Sequence, residues 1–543
     1  MVRAANAVRP RLARAAGTVR PQLERAANAV RPGLERAAAA AKPQLARVQL
    51  ARQRLSRNTW PKTLGTWQYT AVAATAGVAL TVTVVAAAGP WDSTGQRTAE
   101  GDRAVALERT GGADHGRNAD TSDSSEAAAG APRPAPSAAS VLTGLGGAAN
   151  TVKSVPTGTA LSGVLGPLLK DAALGPRPTA AVVDLATGRR LYGTGADDAL
   201  IPASTTKIAT AVAALSAMGA DHRLTTRSSL EPDTGELVLT GGGDPTLTAH
   251  KDAAGWASLR DLADRTAKAL KKRDVQSVTL SYDTTLYAGP ELHPIGVNGN
   301  LAPVSALMAD EGRTDDSTSG PVARVTDPAA DAARKFRTFL AADGIRSTPP
   351  GPSKATTRAE ALASVSSPPL SALVERMLTN SDNDIAEALA RQTAVATGER
   401  ASFDSGASAI AGALKRLELP LKGAGFHDGS GLDRDDRLTA DLLTALLVKA
   451  GDPAHPELRP VLTGLPVAGF TGTLTSRYTG GAAGVVRAKT GTLTGVNTLA
   501  GTVVDQDGRL LAFAFLASNT TSPLQAQSAL DRTATALAGC GCG

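Results

Sequence analysis

A serine and a lysine three residues apart could act as a nucleophile and its base. Ser204 and Lys207 lie in PASTTK, directly before a segment in which Ile208, Val212 and Leu215 recur at helical spacing. This spacing places both side chains on one face of a helix, where the lysine amine can reach the serine hydroxyl. The alternative is that Ser204 only caps the helix, because serine is a common N-cap and a lone S-x-x-K is a weak motif.

A second polar triplet, Ser381-Asp382-Asn383, separates two helical patterns, PLSALVERMLT and NDIAEALARQTAVATG. The triplet is therefore predicted to form a loop between helices. In a cleft, Ser381 could pass a proton, and Asn383 could orient neighbouring groups or a substrate amide. Taken alone, the triplet is explained better by a serine or an aspartate that caps the second helix.

The third candidate, Lys489-Thr490-Gly491-Thr492, follows GVVRA and precedes a predicted hairpin, which places it on a strand at a sheet edge. Gly491 would let a substrate backbone approach closely. The charge of Lys489 and the hydroxyls of Thr490 and Thr492 would together receive a carboxylate. The alternative is an exposed edge-strand lysine, which protects a sheet edge from aggregation.

Two predicted hairpins and a long middle segment would position these residues. The hairpins are TAAVVDLATGRRLYGTG and NTLAGTVVDQDGRLLAFAFLAS, and we expect them to share one antiparallel sheet. A helix follows, opened by Ser522 and Pro523 and stopped at Gly539. Residues 230–365 carry their own strand-like and helix-like pieces and are predicted to be an insertion. The predicted fold is α+β, with one catalytic domain formed by residues 158–229 and 366–543.

The N-terminal 66 residues are basic and repetitive. Four 11-residue repeats begin at Arg3, and each contains a proline, the first of them Pro10. Eleven residues are close to three helical turns, but a proline in each repeat kinks or ends a helix. Two interpretations stay open for residues 1–66: an amphipathic stretch on anionic lipid, or a disordered low-complexity tail.

An uncharged run of 20 residues, Tyr69 to Ala88, could cross a membrane once, since a helix of that length reaches about 30 Å. The basic residues precede it, so residues 1–66 are predicted to be cytoplasmic and everything after the segment 67–90 extracellular. The alternative is a cleaved signal peptide that leaves a secreted protein. Residues 91–157, poor in large apolar side chains, are predicted to be a disordered linker.

Composition excludes several classes of function. The net charge of +7 resides in the tail, because residues 1–68 hold 14 Lys and Arg against 2 Glu. With 3% aromatic residues, base stacking and a nucleic-acid partner are not expected. Cys540 and Cys542 are the two cysteines of the 543-residue chain, which excludes a disulfide framework and a cysteine-rich metal site. Six scattered histidines show no ligand spacing, so no metal and no cofactor are expected.

The order S-x-x-K, S-D-N, K-T-G is the signature of active-site serine penicillin-recognising enzymes. Over about residues 161–538 the chain resembles the D-alanyl-D-alanine carboxypeptidase/endopeptidase family of low-molecular-mass penicillin-binding proteins. Further matches are the 177-residue separation of Ser204 and Ser381, GGGDPTL at 241–247 and DGSGL at 428–432. The stretch at 302–307 matches only loosely. The resemblance implies a serine β-lactamase-like antiparallel sheet flanked by helices.

The resemblance also implies a mechanism. Ser204 would attack the penultimate D-alanine carbonyl of a peptidoglycan stem peptide with Lys207 as base, and β-lactam antibiotics would inhibit by the same attack. Ser381 would relay the proton, and Asn383 would hold Lys207 and the substrate amide. The pKa of a lysine base must fall, and the charge of Lys489 about 5 Å away would supply most of this, with partial burial supplying the rest.

Three functions are compared: a carboxypeptidase, with endopeptidase activity left open, a β-lactamase, and a non-enzymatic penicillin-binding sensor or membrane scaffold. A β-lactamase would need a deacylating carboxylate, for which Glu418 lies at a plausible separation from Ser381. A triad of His427, Asp428 and Ser430 is disfavoured, because residues so close in sequence seldom converge in that way. The carboxypeptidase is the expected function.

Overall fold

The computed structural model describes residues 156–478 and 481–541. The predicted tail 1–66, the predicted transmembrane segment 67–90 and the predicted linker up to residue 155 lie outside the described residues, so those predictions stay predictions. Within the described residues, no helix combines the length and the hydropathy that a membrane crossing requires.

Helices and strands alternate irregularly along the chain. The helices are α1 Gly158–Leu169, α2 Thr206–Met218, α3 Leu259–Lys271, α4 Pro328–Ala342, α5 Leu370–Asn380, α6 Asn383–Ala396, α7 Phe403–Arg416, α8 Ala440–Gly451, α9 Pro460–Thr463 and α10 Pro523–Ala538. The strands are β1 Thr179–Asp184, β2 Arg190–Thr194, β3 Thr225–Leu230, β4 Glu236–Thr240, β5 Ser277–Asp283, β6 Arg346–Ser347, β7 Gly351–Pro352, β8 Glu360–Ser366, β9 Val486–Leu493, β10 Val496–Val504 and β11 Leu510–Ser518.

The first and last hairpins share one antiparallel sheet, as predicted. Its strand order is β2-β1-β11-β10-β9, with β1 paired to β11, and β9 at the edge. The turn of the last hairpin lies at Asp507 and Gly508, the latter with φ of 78°. The predicted antiparallel α+β architecture is therefore confirmed for this part of the chain.

Helices cover both faces of this sheet because its residues alternate between two buried sides. On one side small residues such as Ala512 and Ala514 of β11 pack against α2 and the helices α5 to α8. On the other side Phe513 and Phe515 pack with α1 and α10. The predicted final helix is confirmed, with Ser522 as its cap. Cys540, just beyond it, is buried and disulfide-bonded.

The long middle segment forms a second sheet with its own core. Its strand order is β6-β5-β4-β3-β8, and β7 also pairs with β5. The pairs β3/β4 and β3/β8 are antiparallel, whereas β4/β5 is parallel. Helices α3 and α4 pack on this sheet, and Phe336 of α4 is fully buried in the shared core. This sheet begins at Thr225 and ends at Ser366, against the predicted 230–365.

One buried cation links the two regions. Arg391 of α6 is fully buried and donates hydrogen bonds to the carbonyls of Ala288, Pro290 and Ala401. Its guanidinium also lies 4.3 Å from the ring centroid of Phe403. Residues 288 and 290 belong to the middle segment, so a helix of the catalytic region fixes the path of that segment.

The close pairing of β9 and β10 can be tested at Gly501. A Cβ at this position would overlap the carbonyl oxygen of Arg487 and crowd Ala488 of β9. We expect Gly501→Ala to lower the free energy of unfolding by about 1–3 kcal/mol in urea titrations, because overpacking forces the strands apart. The matched control is Gly163→Ala in α1, which meets no atom within 4 Å and should raise stability by about 0.5–1 kcal/mol. Equal effects of the two substitutions would contradict this packing.

Candidate active site

Ser204 lies in a strained turn directly before α2. Residues Ala203–Thr205 form a single 3-10 turn, and Ala203 has a φ of 48°, which residues with a side chain rarely adopt. The turn is held from the sheet, because Thr498 Oγ1 of β10 donates to the Pro202 carbonyl at 2.8 Å. The surrounding structure thus keeps the turn in a conformation that leaves Ser204 partly exposed at a cleft of about 370 Å³.

Lys207 is fully buried and has three hydrogen-bonding partners. Its Nζ lies 3.1 Å from Ser204 Oγ, 2.7 Å from Asn383 Oδ1 and 2.7 Å from the Ser430 carbonyl oxygen. The amide oxygen and the carbonyl oxygen can only accept, so they take the two N–H groups of a neutral amine. The lone pair is then directed at the Ser204 hydroxyl, which is the arrangement of a general base.

Burial lowers the pKa of Lys207 from 10.5 to about 8. Nearby carboxylates oppose this effect, foremost Asp428 and Glu387, because negative charge favours the ammonium form. The sequence led us to expect that the charge of Lys489 would lower this pKa most. The structure corrects this: desolvation is the larger cause, since the amine is removed from water completely.

The Ser381-Asp382-Asn383 loop lies between α5 and α6, as predicted. Ser381 ends α5 in the left-handed region (φ 59°, ψ 40°), and Asp382 caps α6 by accepting from the N–H of Ile385 at 3.0 Å. Capping and a place in the cleft are therefore not alternatives. Asn383 begins α6, and its Nδ2 donates to the Asn300 carbonyl at 2.9 Å, which directs its Oδ1 at Lys207.

Lys489 of β9 is fully buried, so the alternative of an exposed edge lysine is wrong. Its Nζ donates to Ser381 Oγ at 2.9 Å and to the Thr490 carbonyl at 2.8 Å. These contacts account for two of the three N–H groups of the ammonium form. Burial lowers the pKa of Lys489 well below its usual range, and the charge of Lys207 lowers it further.

The other residues of the predicted motif, Thr490 to Thr492, lie near the cleft or the turn that carries Ser204. Thr492 is exposed and lines the cleft, and Thr490 Oγ1 donates to Thr473 Oγ1 at 2.9 Å. Gly491 also has a packing role that the sequence did not indicate. A Cβ there would overlap Thr498 Oγ1 and lie 2.7 Å from the Pro202 carbonyl oxygen, so this glycine admits the turn that carries Ser204. Its predicted contact with a substrate backbone stays a prediction.

The middle segment supplies one wall of the cleft and a buried network of charges. Asn300, Arg313 and Arg324 line the cleft together with Ser381 and Asn383. Three buried carboxylates pair with three guanidinium groups in this wall: Glu311 with Arg313 and Arg376, Asp384 with Arg324, and Asp382 with Arg376. The network ties the Ser381 loop to the middle segment.

Two candidates from the sequence are not brought into the cleft. Glu418 is exposed beyond the end of α7 and is not among the cleft residues, so it cannot serve as a deacylating carboxylate. His427 is exposed, whereas Asp428 and Ser430 are buried. Ser430 Oγ donates a hydrogen bond to Asp428 Oδ2 at 3.1 Å. The triad is therefore wrong. The histidine beside Asp428 is His293, with its Nε2 3.2 Å from the carboxylate.

Sequence reasoning missed three groups at the site. The Ser430 carbonyl contacts the amine of Lys207, Glu387 of α6 holds the loop that carries this carbonyl, and Thr473 contacts Thr490. A backbone carbonyl leaves no mark in a sequence. Glu387 lies four residues after Asn383 in NDIAE, but an acidic residue on a helix is ordinarily exposed, so the pattern gave no signal.

The fold and the network of Ser204, Lys207, Ser381, Asn383 and Lys489 define an active-site serine penicillin-recognising enzyme. Residues 161–321 and 314–537 match the D-Ala-D-Ala carboxypeptidase 3 (S13) family. The chain belongs to this family, and it is a serine-type D-Ala-D-Ala carboxypeptidase.

The alignments with similar proteins cover most of the length of those proteins. Carboxypeptidase Rv3627c of Mycobacterium tuberculosis is 36% identical over 433 residues, which cover 76% of this chain and 90% of that protein. Carboxypeptidase DacB of Mycolicibacterium smegmatis is 37% identical over 67% of this chain and 81% of its own. The crystal structure of penicillin binding protein 4 from Haemophilus influenzae covers 69% of this chain and 97% of its own, with a TM-score of 0.55 and 21% identity. This last match shows the fold.

The pKa of Lys207 predicts how activity depends on pH. With the neutral amine acting as the base, kcat/KM for D-alanine release should rise with pH and reach half of its maximum near pH 8. The measurement is the initial rate with a peptide ending in D-Ala-D-Ala between pH 6 and 10. Circular dichroism at each pH controls for unfolding. Activity that falls between pH 6 and 8 in folded protein would contradict Lys207 as the base.

Proposed function

We propose that Ser204 transfers the acyl group of a peptidoglycan stem peptide, with Lys207 as base. The observation that carries this proposal is the set of three contacts around the Lys207 amine, which leaves its lone pair for the Ser204 hydroxyl. The serine oxygen bonds to the penultimate D-alanine carbonyl carbon, and its proton passes to Lys207. Backbone N–H groups of Ser204 and Thr492 receive the oxyanion, each worth about 3–4 kcal/mol of transition-state stabilisation.

Ser381 completes acylation as the proton relay. The C–N bond to the terminal D-alanine breaks, and the leaving amine takes a proton from Ser381 Oγ. The proton that Lys207 accepted from Ser204 then replaces the one lost by Ser381, which leaves Lys207 neutral again. The contact of 2.9 Å between Ser381 Oγ and Lys489 supports this role. Water then attacks the acyl-enzyme, with Lys207 accepting its proton, and the shortened peptide leaves with Ser204 restored.

The substrate carboxylate is proposed to bind at the end of β9. Thr492 lines the cleft, and Thr490 lies beside it on the same strand. A bound carboxylate would favour the ammonium form of Lys489, which has one further N–H beyond its contacts with Ser381 Oγ and the Thr490 carbonyl. A peptide with a free terminal carboxylate is therefore the preferred substrate, and the same chemistry on a cross-link would be endopeptidase activity.

β-Lactam antibiotics are proposed to acylate Ser204 in the same way and to remain bound. Rapid hydrolysis would need a carboxylate that activates water in the cleft. Two cleft carboxylates, Asp382 and Asp384, are paired with Arg376 and Arg324, and Glu418 lies elsewhere. This arrangement favours a penicillin-sensitive peptidase over a β-lactamase.

The enzyme is also proposed to be held at the cell membrane, with residues 1–66 cytoplasmic and the catalytic region outside. The support is the uncharged run from Tyr69 to Ala88 and the basic residues that precede it. The substrate, peptidoglycan, lies outside the membrane, which agrees with this orientation.

Replacement of the nucleophile tests the function. Ser204→Ala should abolish both D-alanine release from a pentapeptide and labelling by fluorescent penicillin, because no oxygen is left to form the acyl-enzyme. The matched control is Ser162→Ala on the exposed face of α1, which should keep both activities. Rapid turnover of penicillin by the unchanged protein would favour a β-lactamase, and neither activity would favour the sensor.

Cell fractionation tests the location. The full chain should stay with membranes after an alkaline wash, and a chain without residues 69–88 should not, because a single spanning helix is removed. Sequencing of the N-terminus of the membrane-bound and the released protein identifies a cleaved signal peptide. Recovery of the intact full chain in the soluble fraction would refute the membrane proposal.

A further inference from the structure

Glu387 is a buried carboxylate that the mechanism above does not use. It lies on α6 with 1% of its surface exposed. Its Oε1 accepts from the N–H of Ser430 at 2.8 Å and from the N–H of Gly429 at 3.1 Å, and its Oε2 lies 3.2 Å from the latter nitrogen. Both oxygens of this carboxylate therefore accept hydrogen bonds from the backbone of one loop.

That loop carries the carbonyl that contacts the base. Asp428 closes it from the other side, accepting from the N–H groups of Leu432 at 2.9 Å and Asp433 at 2.7 Å. The two carboxylates therefore fix consecutive peptide groups around Ser430. The position of the Ser430 carbonyl, 2.7 Å from Lys207 Nζ, follows from these contacts.

Helix α6 positions both hydrogen-bond acceptors of Lys207, Asn383 Oδ1 and the Ser430 carbonyl. Asn383 and Glu387 are four residues apart, so they lie on one face of the helix a single turn from each other. Asn383 contacts the amine directly, and Glu387 acts through Ser430. One helix thus determines where both N–H groups of the neutral amine point, and hence where its lone pair points.

Charge gives Glu387 a second effect on the same amine. Its carboxylate raises the pKa of Lys207, as do Asp428, Asp382 and Asp384, while burial lowers it more. Lys489 is the other amine that faces Lys207, and the charge of Lys207 lowers its pKa. The groups that face Glu387 itself are Asp428, His293, Asp436 and Arg391. Burial raises the pKa of Glu387 to about 7, so it is ionised where Lys207 loses its proton.

We propose that Glu387 is a positioning residue of this reaction, which holds the Ser430 carbonyl on Lys207 and so aims the lone pair of the base at Ser204. The proposal rests on the proposed function, because it assigns Glu387 a task only if Lys207 is the base.

Two variants separate the reach of Glu387 from its charge. Glu387→Asp keeps the charge but withdraws the carboxylate by one methylene, so the maximal kcat/KM for D-alanine release should fall about 10-fold or more while the acidic limb of the pH profile stays in place. Glu387→Gln removes the charge. Its maximum should fall less than that of Glu387→Asp, because the amide keeps the reach and one acceptor oxygen. Its acidic limb should move to lower pH by about one pH unit, because Lys207 loses a stabilising negative charge.

The matched control is Asp436→Asn. Asp436 is a buried carboxyl on the same loop. Burial raises its pKa to about 9, so it is largely protonated near pH 8, where the limb lies, and it contacts His427 N and Thr206 Oγ1 rather than Ser430. This variant should change neither the maximum nor the limb.

The pH at which the acidic limb lies does not depend on the fraction of protein that folds. Partial unfolding of Glu387→Gln therefore lowers the rate without moving this limb, and the test stays valid. If the maximum is unchanged in folded Glu387→Asp, or the limb is unchanged in Glu387→Gln, the proposal is overturned. Should the unchanged protein release no D-alanine, the proposed function itself fails, which is a distinct result.

Discussion

The active site depends most on the burial of the Lys207 amine beside two oxygens that can only accept hydrogen bonds. Removing the ammonium of Lys207 from water costs several kcal/mol if it stays charged, and this favours the neutral form. Burial alone would not select a direction for the lone pair. The oxygens of Asn383 and Ser430 do so, because each takes one N–H and leaves Ser204 as the remaining neighbour.

Four distant parts of the chain must meet for this arrangement. The turn at Ser204 is held by β10, and α6 carries Asn383 at its first turn. Strand β9 brings Lys489 under Ser381, and the loop at 428–433 closes over the amine. Small residues make these approaches possible: Gly491 admits the turn, and Gly431 packs against the Ala203 carbonyl, where a side chain would not fit.

The sequence predicted the elements well because their patterns are local. Alternating residues and a turn at Asp507-Gly508 are enough to specify a hairpin, and S-x-x-K brings its partners together within one helical turn. The sequence could not predict Glu387, His293 or the Ser430 carbonyl, since their roles arise from packing between residues up to 223 apart. It also assigned the lowered pKa of Lys207 to the wrong main cause, because complete burial of an amine is a property of the folded chain.

Arg391 makes the middle segment a permanent part of the enzyme. Three backbone carbonyls and an aromatic ring satisfy its buried guanidinium, and two of those carbonyls come from residues 288 and 290. A shorter descendant that lost these residues would leave the guanidinium with one of its three carbonyl acceptors, that of Ala401, at a cost of several kcal/mol if the group stays buried. Evolutionary loss of this segment is therefore expected to be accompanied by a substitution of Arg391.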